Sequence, residues 1–275
     1  MSARWTGVVV AAARFGSVLQ KSWLPPRWCM TMCASPLSRL LIFTILSLWG
    51  LPASATEVDA AIVFAVDASA SVDRATVDLQ REGHAEAICS PEIVAAIARN
   101  RTGCIAIAYF EWASPGNMRT VLPWTTVCGI SDARSAASSI RRNGSRGYGC
   151  EGHCGTSISF AIDLGGLLLD DFAVNVSNRI IDISANGTNN DGLPVQGSRK
   201  RAIEKGYTIN AIAIPSITRG IKHDLTSYFA QNVIGGPNAF VIAPATKSDY
   251  AIALRRKLVV EIGMSTKSSI ARSRE

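Results

Sequence analysis

Histidine is scarce in this sequence: three residues in 275, His84, His153 and His223, scattered along the chain. No Ser-His-Asp arrangement can be argued from them. A Gly-x-Ser-x-Gly elbow and a phosphate-binding glycine loop are also missing, so neither a nucleophilic hydrolase nor a P-loop enzyme has a footing here. Acidic residues are absent from the first 55 positions, which carry five basic ones (Arg4, Arg14, Lys21, Arg27 and Arg39). The formal charge of +7 therefore belongs mostly to that segment; beyond it 23 basic residues face 21 acidic ones, a net of +2. That removes charge as an argument for nucleic acid, which needs a basic stripe on the folded domain. The apolar run at 40–51 is too short for a bilayer span, which needs about 20 residues, and Thr44 and Ser47 interrupt it. No internal repeat is visible.

What the amino terminus does contain is an address. Arg39 precedes the apolar run, and Pro52-Ala53-Ser54-Ala55 offers small residues where a signal peptidase reads. A secretory signal over about residues 30–55, cleaved after Ala55, is the expectation; a membrane anchor is the competing reading. The chain then divides into a leader (1–55), one α/β domain (56–264) and a polar tail (265–275), with export to the periplasm or beyond. Five cysteines remain after cleavage: Cys89, Cys104, Cys128, Cys150 and Cys154. An oxidising compartment favours disulfides, and an odd count leaves at least one thiol unpaired within the chain. Cys150 and Cys154, four apart in a glycine-rich loop, are close enough to bridge. Zinc at Cys150, His153 and Cys154 is the alternative, but a fourth ligand is missing.

With 48% hydrophobic and 18% charged residues the chain can fill one sizeable core. Its most informative stretch is Ala61-Ile-Val-Phe-Ala-Val66, a strand apolar on both faces, followed by Asp67, Ser69 and Ser71 at alternate positions. Helix is expected over 72–88, with Asp73 as its cap and Leu79, Gly83 and Ala87 on one face, and again after Ser90-Pro91. A second buried strand spans 104–112. The turn residues 113–117 then lead into a returning strand at 119–124. Helices are expected at 131–142, from Gly155-Thr156-Ser157 onward, at 194–205 and at 225–231; strands at 179–184, 207–214 and 240–243. A last helix, capped by Ser248, places Ala251, Leu254, Leu258 and Ile262 on one face. Alternating strands and helices imply a mainly parallel central sheet with helices on both faces.

Ligands of such sheets bind beyond the carboxyl ends of the strands. Three oxygen-rich loops meet that condition: 67–71, 155–157 and 184–190. One carboxylate with hydroxyls is a hard-oxygen set, which suits Mg²⁺ over soft metals, with Mn²⁺ and Ca²⁺ as alternatives. A strand running into a serine-rich turn is the bland reading of Asp67, Ser69 and Ser71 taken alone. Asp182, inside its strand, is expected to be structural. Glu111 reads as a rim charge that could border the site. Arg141, Arg142 and Arg146 read as solvated, the rival being a positive face for an acidic partner.

Asp67-Ala-Ser69-Ala-Ser71 resembles the Asp-x-Ser-x-Ser signature of von Willebrand factor type A domains, whose metal-ion-dependent adhesion site (MIDAS) adds a Thr from a second loop and an Asp from a third. Thr156 matches the second; at the third position this chain has Asn186-Gly187. From Asp59 to about Ile262 the chain also resembles DUF1194, a bacterial family of secreted von Willebrand A-like proteins. Val-Asp-Ala-Ser-Ala-Ser-Val-Asp, Tyr-Phe-Glu-Trp, Gly-Thr-Ser-Ile-Ser, Arg-Ile-Ile-Asp-Ile-Ser and Asn-Val-Ile-Gly-Gly-Pro carry that likeness. The resemblance implies a Rossmann-like von Willebrand A fold, its sheet parallel apart from one antiparallel edge strand. It also implies a cation held by Asp67, Ser69, Ser71, Thr156 and Asn186 that engages an acidic side chain of a protein partner. Loss of a carboxylate at 186 implies weaker cation binding and a more electrophilic ion. Two rivals stand beside this non-enzymatic reading: a metal-assisted hydrolase using Glu111 or His153 as base, and a module that has lost its ion.

Overall fold

The apolar run after position 59 forms β1, Ala60–Asp67, and all eight of its residues are buried. In the computed structural model the described residues are 57–144, 154–174, 176, 178–215, 217–218, 221–222 and 224–272. The expected leader, Arg146, Cys150, His153 and His223 lie outside them.

Asp73 caps α1 (Arg74–Cys89) by accepting the Thr76 N–H at 2.7 Å, and Ser90 with Pro91 opens α2 (Pro91–Ala98). β2 (Ile105–Trp112) is buried throughout. The turn after it closes with Asn117 N–H donating to Ser114 O at 2.9 Å and Gly116 at φ +86°. β3 (Met118–Val127) returns antiparallel to β2. Then follow α3 (Ile130–Gly144), α4 (Ile158–Asp170), β4 (Asn178–Ala185), α5 (Val195–Glu204) and β5 (Thr208–Ala213). A two-stranded ribbon, β6 (Ile217–Thr218) with β7 (Ile221–Lys222), precedes α6 (Leu225–Asn232), β8 (Val241–Ile242) and α7 (Tyr250–Arg272).

The main sheet has the order β3-β2-β1-β4-β5-β8, and every pair is parallel except β2 with β3. The expected architecture is therefore the observed one, with its antiparallel strand at an edge. From β1 the chain steps outward to β2 and β3 on one side, then crosses back to β4 on the other. The crevice between β1 and β4 is thus where strand order reverses.

Alternate side chains of β1 feed two cores. Ile62 and Phe64 pack with Ala85, Ile88, Ile97, Ile140 and Leu254 on the side of α1, α2, α3 and α7. Val63 and Ala65 pack with Ile158, Ile162, Ile183 and Phe229 on the side of α4, α5 and α6. Gly83 lets α1 and α7 approach: a Cβ there would lie 2.8 Å from Tyr250 Cδ1.

Two local expectations change. The turn before α7, Lys247–Asp249, is closed by Thr246, whose N–H donates to the Asp249 carboxylate at 3.1 Å, so Thr246 rather than Ser248 is the cap. The helix continues to Arg272, so the first part of the polar segment after Ser265 has helical backbone. Glu111 is not a rim charge. It is 4% exposed and held by Arg81 of α1 (2.5 and 3.0 Å) and Arg119 of β3 (2.6 Å), because two guanidinium groups reach it inside the fold. Asp182 is structural as expected: Lys257 Nζ of α7 lies 2.6 Å from its Oδ1 and also contacts Glu261, all three buried.

Candidate functional site

β1 ends at Asp67, and the chain turns there because the Asp67 side chain folds back on its own backbone: Oδ1 accepts the Ser69 N–H at 2.8 Å. This is the Asx-type turn that short acidic side chains favour. The turn is tied down from both sides. Ala68 N–H donates to Trp112 O at the end of β2 (2.8 Å), and Ala70 N–H to Cys154 O at the head of the second loop (2.9 Å). Beneath it, Gln80 of α1 donates from Nε2 to Asp67 O at 3.0 Å and accepts on Oε1 from Ser184 Oγ of β4 at 2.8 Å. Tyr250 OH of α7 lies 2.9 Å from the same Ser184 Oγ. The carboxyl ends of β1 and β4 are therefore held to each other and to α7 by a buried polar chain.

The second loop runs into α4, whose cap is Ser157. Thr156 is fixed by the third loop: its N–H donates to Asn190 Oδ1 (2.8 Å), and its carbonyl accepts from Asn190 N–H (2.9 Å) and Asp191 N–H (3.3 Å). Asn189 Oδ1 accepts from Ser159 N–H at 3.0 Å. Gly155 is required by this closeness, since a Cβ would come 2.6 Å from Asp191 Cβ. Asp191 Oδ1 accepts the Gly192 N–H at 2.7 Å, a local turn contact.

These three loops bring the five sequence-predicted residues together. Ser69 Oγ lies 3.0 Å from Thr156 Oγ1 and 3.2 Å from Ser71 Oγ. Ser71 Oγ donates to Asn186 Oδ1 at 2.9 Å. Asp67, Ser69, Thr156 and Asn186 are buried while Ser71 is exposed, so the cluster opens at Ser71. Asp67 Oδ2 is buried with no hydrogen-bond partner. Burial pushes the Asp67 carboxyl up to about 6; hydrogen bonds from Ser69 and from the Asn186 backbone act against that rise without cancelling it.

Those properties fit a hard cation. A carboxylate oxygen left bare in a buried position costs free energy unless something positive meets it. The hydroxyl separations match the roughly 3 Å edge of an octahedron with about 2.0–2.1 Å bonds, the geometry Mg²⁺ demands. Among the described residues no group of three or more His, Cys, Asp or Glu is placed to hold a metal, so the donors here are hydroxyls around one carboxylate.

The other candidates fall away from the site. Glu111 stands in register with Val66, whose side chain packs on the opposite side of the sheet from Ala65, and its carboxylate is occupied by two arginines. Arg141 is paired with Glu82 (2.9 and 3.0 Å), and Arg142 reaches Ser138 (2.5 Å) and Ser139 (3.2 Å). His84 is buried against Phe64 and Tyr109, with ring centroids 4.9 and 5.0 Å away. Cys104, just before β2, is bonded to Cys128, just after β3; Cys89 is a free thiol, and Cys154 is disulfide-bonded. The sequence reading gave no role to Gln80, Asn189 or Asn190. Only the last two carried a signal, a run of amide side chains in a loop beyond a strand end.

A family model described as "Protein of unknown function (DUF1194)" matches residues 57–266. Among curated proteins no match to the sequence was found. Solved structures share the fold at low identity. One is the conserved hypothetical protein BatB from Bacteroides thetaiotaomicron, 18% identical with a TM-score of 0.54, the match covering 76% of this chain and 99% of that one. Another is proximal thread matrix protein 1 from the mussel byssus with a zinc-occupied MIDAS motif, 15% identical with a TM-score of 0.53, covering 75% and 48%. A third is a von Willebrand factor type A protein from Catenulispora acidiphila, 14% identical with a TM-score of 0.50, covering 75% and 43%. The chain thus spans nearly all of the first and less than half of the other two.

Proposed function

This chain belongs to the DUF1194 family, and from that premise we propose that it is an exported binding domain that engages an acidic group on a protein partner through a divalent cation. The cation, Mg²⁺ in the first instance, sits among Asp67, Ser69, Ser71, Thr156 and Asn186. The observation that carries the reading is the bare, buried Oδ2 of Asp67 at the head of the loop whose Ser69 hydroxyl meets that of Thr156 from a second loop, the hydroxyls already at the spacing a small hard ion requires. When bound, the ion supplies a positive centre that accepts a carboxylate oxygen. The protein's own part is preorganisation: Gln80, Asn189 and Asn190 hold the loops in place, and the opening at Ser71 leaves one side accessible. A domain of the same fold with zinc in its MIDAS motif lends support by analogy.

Export is supported by the leader at 1–55 and by the disulfides, which are rare in reducing compartments. Among the described residues no helix is long and apolar enough to cross a membrane. The hydrolytic alternative gains no support, since Glu111 is engaged elsewhere and His153 lies outside the described residues.

Isothermal titration of chelator-treated protein with Mg²⁺ and with Mn²⁺ tests the cation. Saturable heat in the native protein that disappears in Ser69→Ala is expected; no heat with either ion would overturn the reading. Partner capture that is lost on adding EDTA and in Asp67→Ala tests the second half.

A further inference from the structure

Midway along β4, well inside the fold, lies an ionic cluster that the candidate site does not use. Asp182 stands in register with Phe64 of β1 and Asn210 of β5, and α7 brings Lys257 and Glu261, one turn apart, against it. None of the three charged residues is more than 2% exposed. Lys257 Nζ lies 2.6 Å from Asp182 Oδ1 and also contacts Glu261 Oε1, which accepts from Asn210 Nδ2 at 2.6 Å. The Asn210 amide is itself oriented, since its Oδ1 accepts the Phe240 N–H at 3.0 Å. Asp182 Oδ2 and Glu261 Oε2 are left buried with no hydrogen-bond partner.

The charges here do not balance. One ammonium faces two carboxylates, so full ionisation would leave a net negative charge away from water, and a carboxyl in that position keeps its proton instead. Burial is the chief cause that pushes the Asp182 carboxyl up to about 7; Lys257 opposes the rise and Glu261 adds to it. Lys257 stays charged: burial works to lower its pKa, but the two carboxylates outweigh that and hold it above the usual lysine range. The other titratable neighbours are uncharged at neutral pH, since burial raises Tyr250 of α7 and lowers His84 of α1 to about 4. β1 and β5 set Phe64 and Asn210 beside Asp182, and the Phe240 ring centroid lies 5.6 Å from Lys257 Nζ; none of these carries charge.

We infer that Asp182 and Glu261 hold one proton between them at neutral pH, and that this proton fastens the C-terminal helix to the sheet: α7 packs firmly while the proton is held and loosens once it leaves. The cluster is built from β4, β5 and α7, so the imbalance falls on that junction. Leu254, Leu258 and Ile262, which pack α7 into its core, are indifferent to pH. The direction follows from linkage. A folded value above that of an unfolded carboxyl means that folding takes up a proton, so the fold is most favoured below about pH 4, loses ground as the pH rises toward 7, and incurs no further penalty above that.

The test uses the full chain in EDTA. Carbon-13 NMR of the side-chain carboxyls, each assigned through its own backbone, should show one ionisation of this pair with a midpoint near 7, against about 4 for an ordinary carboxyl. Amide hydrogen exchange gives the location: protection factors over residues 257–262 should fall by about tenfold between pH 6 and pH 8 in the native chain and stay level in Asp182→Asn. A residue of merely structural importance would lower protection equally at both pH values. A pair already fully ionised at pH 5, or native protection over 257–262 that is the same at pH 6 and pH 8, would overturn the inference, as would an equal fall in Asp182→Asn. Should Asp182→Asn fail to fold, the two measurements on the native chain decide alone.

Discussion

Removing the charge at Asp67 should make the metal-free protein more stable. In the native chain this carboxyl is buried with one oxygen unpaired, and its pKa is pushed up to about 6 from 3.8. The folded value lies above the unfolded one, so folding favours the protonated form. The penalty is absent below about pH 4, grows as the pH rises toward 6, and is constant above that. Two pKa units at about 1.36 kcal/mol each put it at roughly 3 kcal/mol at pH 7.5 and about 1 kcal/mol at pH 4.5. Asn at position 67 keeps an oxygen for the Ser69 N–H and puts an uncharged group where the bare carboxylate oxygen was. For a domain of this size, 3 kcal/mol corresponds to a melting shift of about 6–12 °C. The assay is thermal unfolding of native and Asp67→Asn protein in EDTA at both pH values, then in excess Mg²⁺. Asp67→Asn should be the more stable in EDTA at pH 7.5, the gap should shrink at pH 4.5, and Mg²⁺ should raise the melting temperature of the native chain only. An Asp67→Asn protein less stable than native in EDTA at pH 7.5 would refute the reasoning, because the carboxylate would then be a stabilising group already satisfied by the protein.

Thr156→Val keeps the shape and deletes the hydroxyl 3.0 Å from Ser69 Oγ; it should cost about 1 kcal/mol in a urea titration yet weaken Mg²⁺ binding by about tenfold or more in calorimetry. Lys257→Met strands Asp182 and Glu261 as buried carboxylates, so denaturant unfolding at pH 7.5 should show a loss of about 3–5 kcal/mol, partly recovered by adding Asp182→Asn. His84, whose pKa burial depresses to about 4, lies below its unfolded value of 6.5 and favours the fold only while neutral; that contribution is complete above pH 6.5 and is lost as the pH falls toward 4. Native protein should therefore lose about 2–3 kcal/mol more than His84→Leu between pH 7 and pH 4.5, read as the difference in urea midpoints, and parallel losses in the two proteins would contradict the assignment.

The amino-acid sequence by itself determined the order of the main-sheet strands and of the helices, though not the β6–β7 ribbon, and the burial of β1 on both faces and the loops of the candidate site, because those follow from local periodicity and from where a strand must end. It also set the chemistry of the site, since Asp67, Ser69, Ser71 and Thr156 are hard-oxygen residues whatever surrounds them. What only the tertiary structure decided is who meets whom. Glu111 and Lys257 are residue types that sequence reasoning leaves at the surface; they are buried because Arg81, Arg119, Asp182 and Glu261 arrive from distant elements to pair with them. The Cys104–Cys128 bond follows from β2 and β3 lying side by side, and spacing along the chain does not encode that. Asn186 looked like a weakened ligand in one dimension. Its grip on both the hydroxyl and the carbonyl of Ser71, 115 positions away, exists only because the sheet places β4 beside β1.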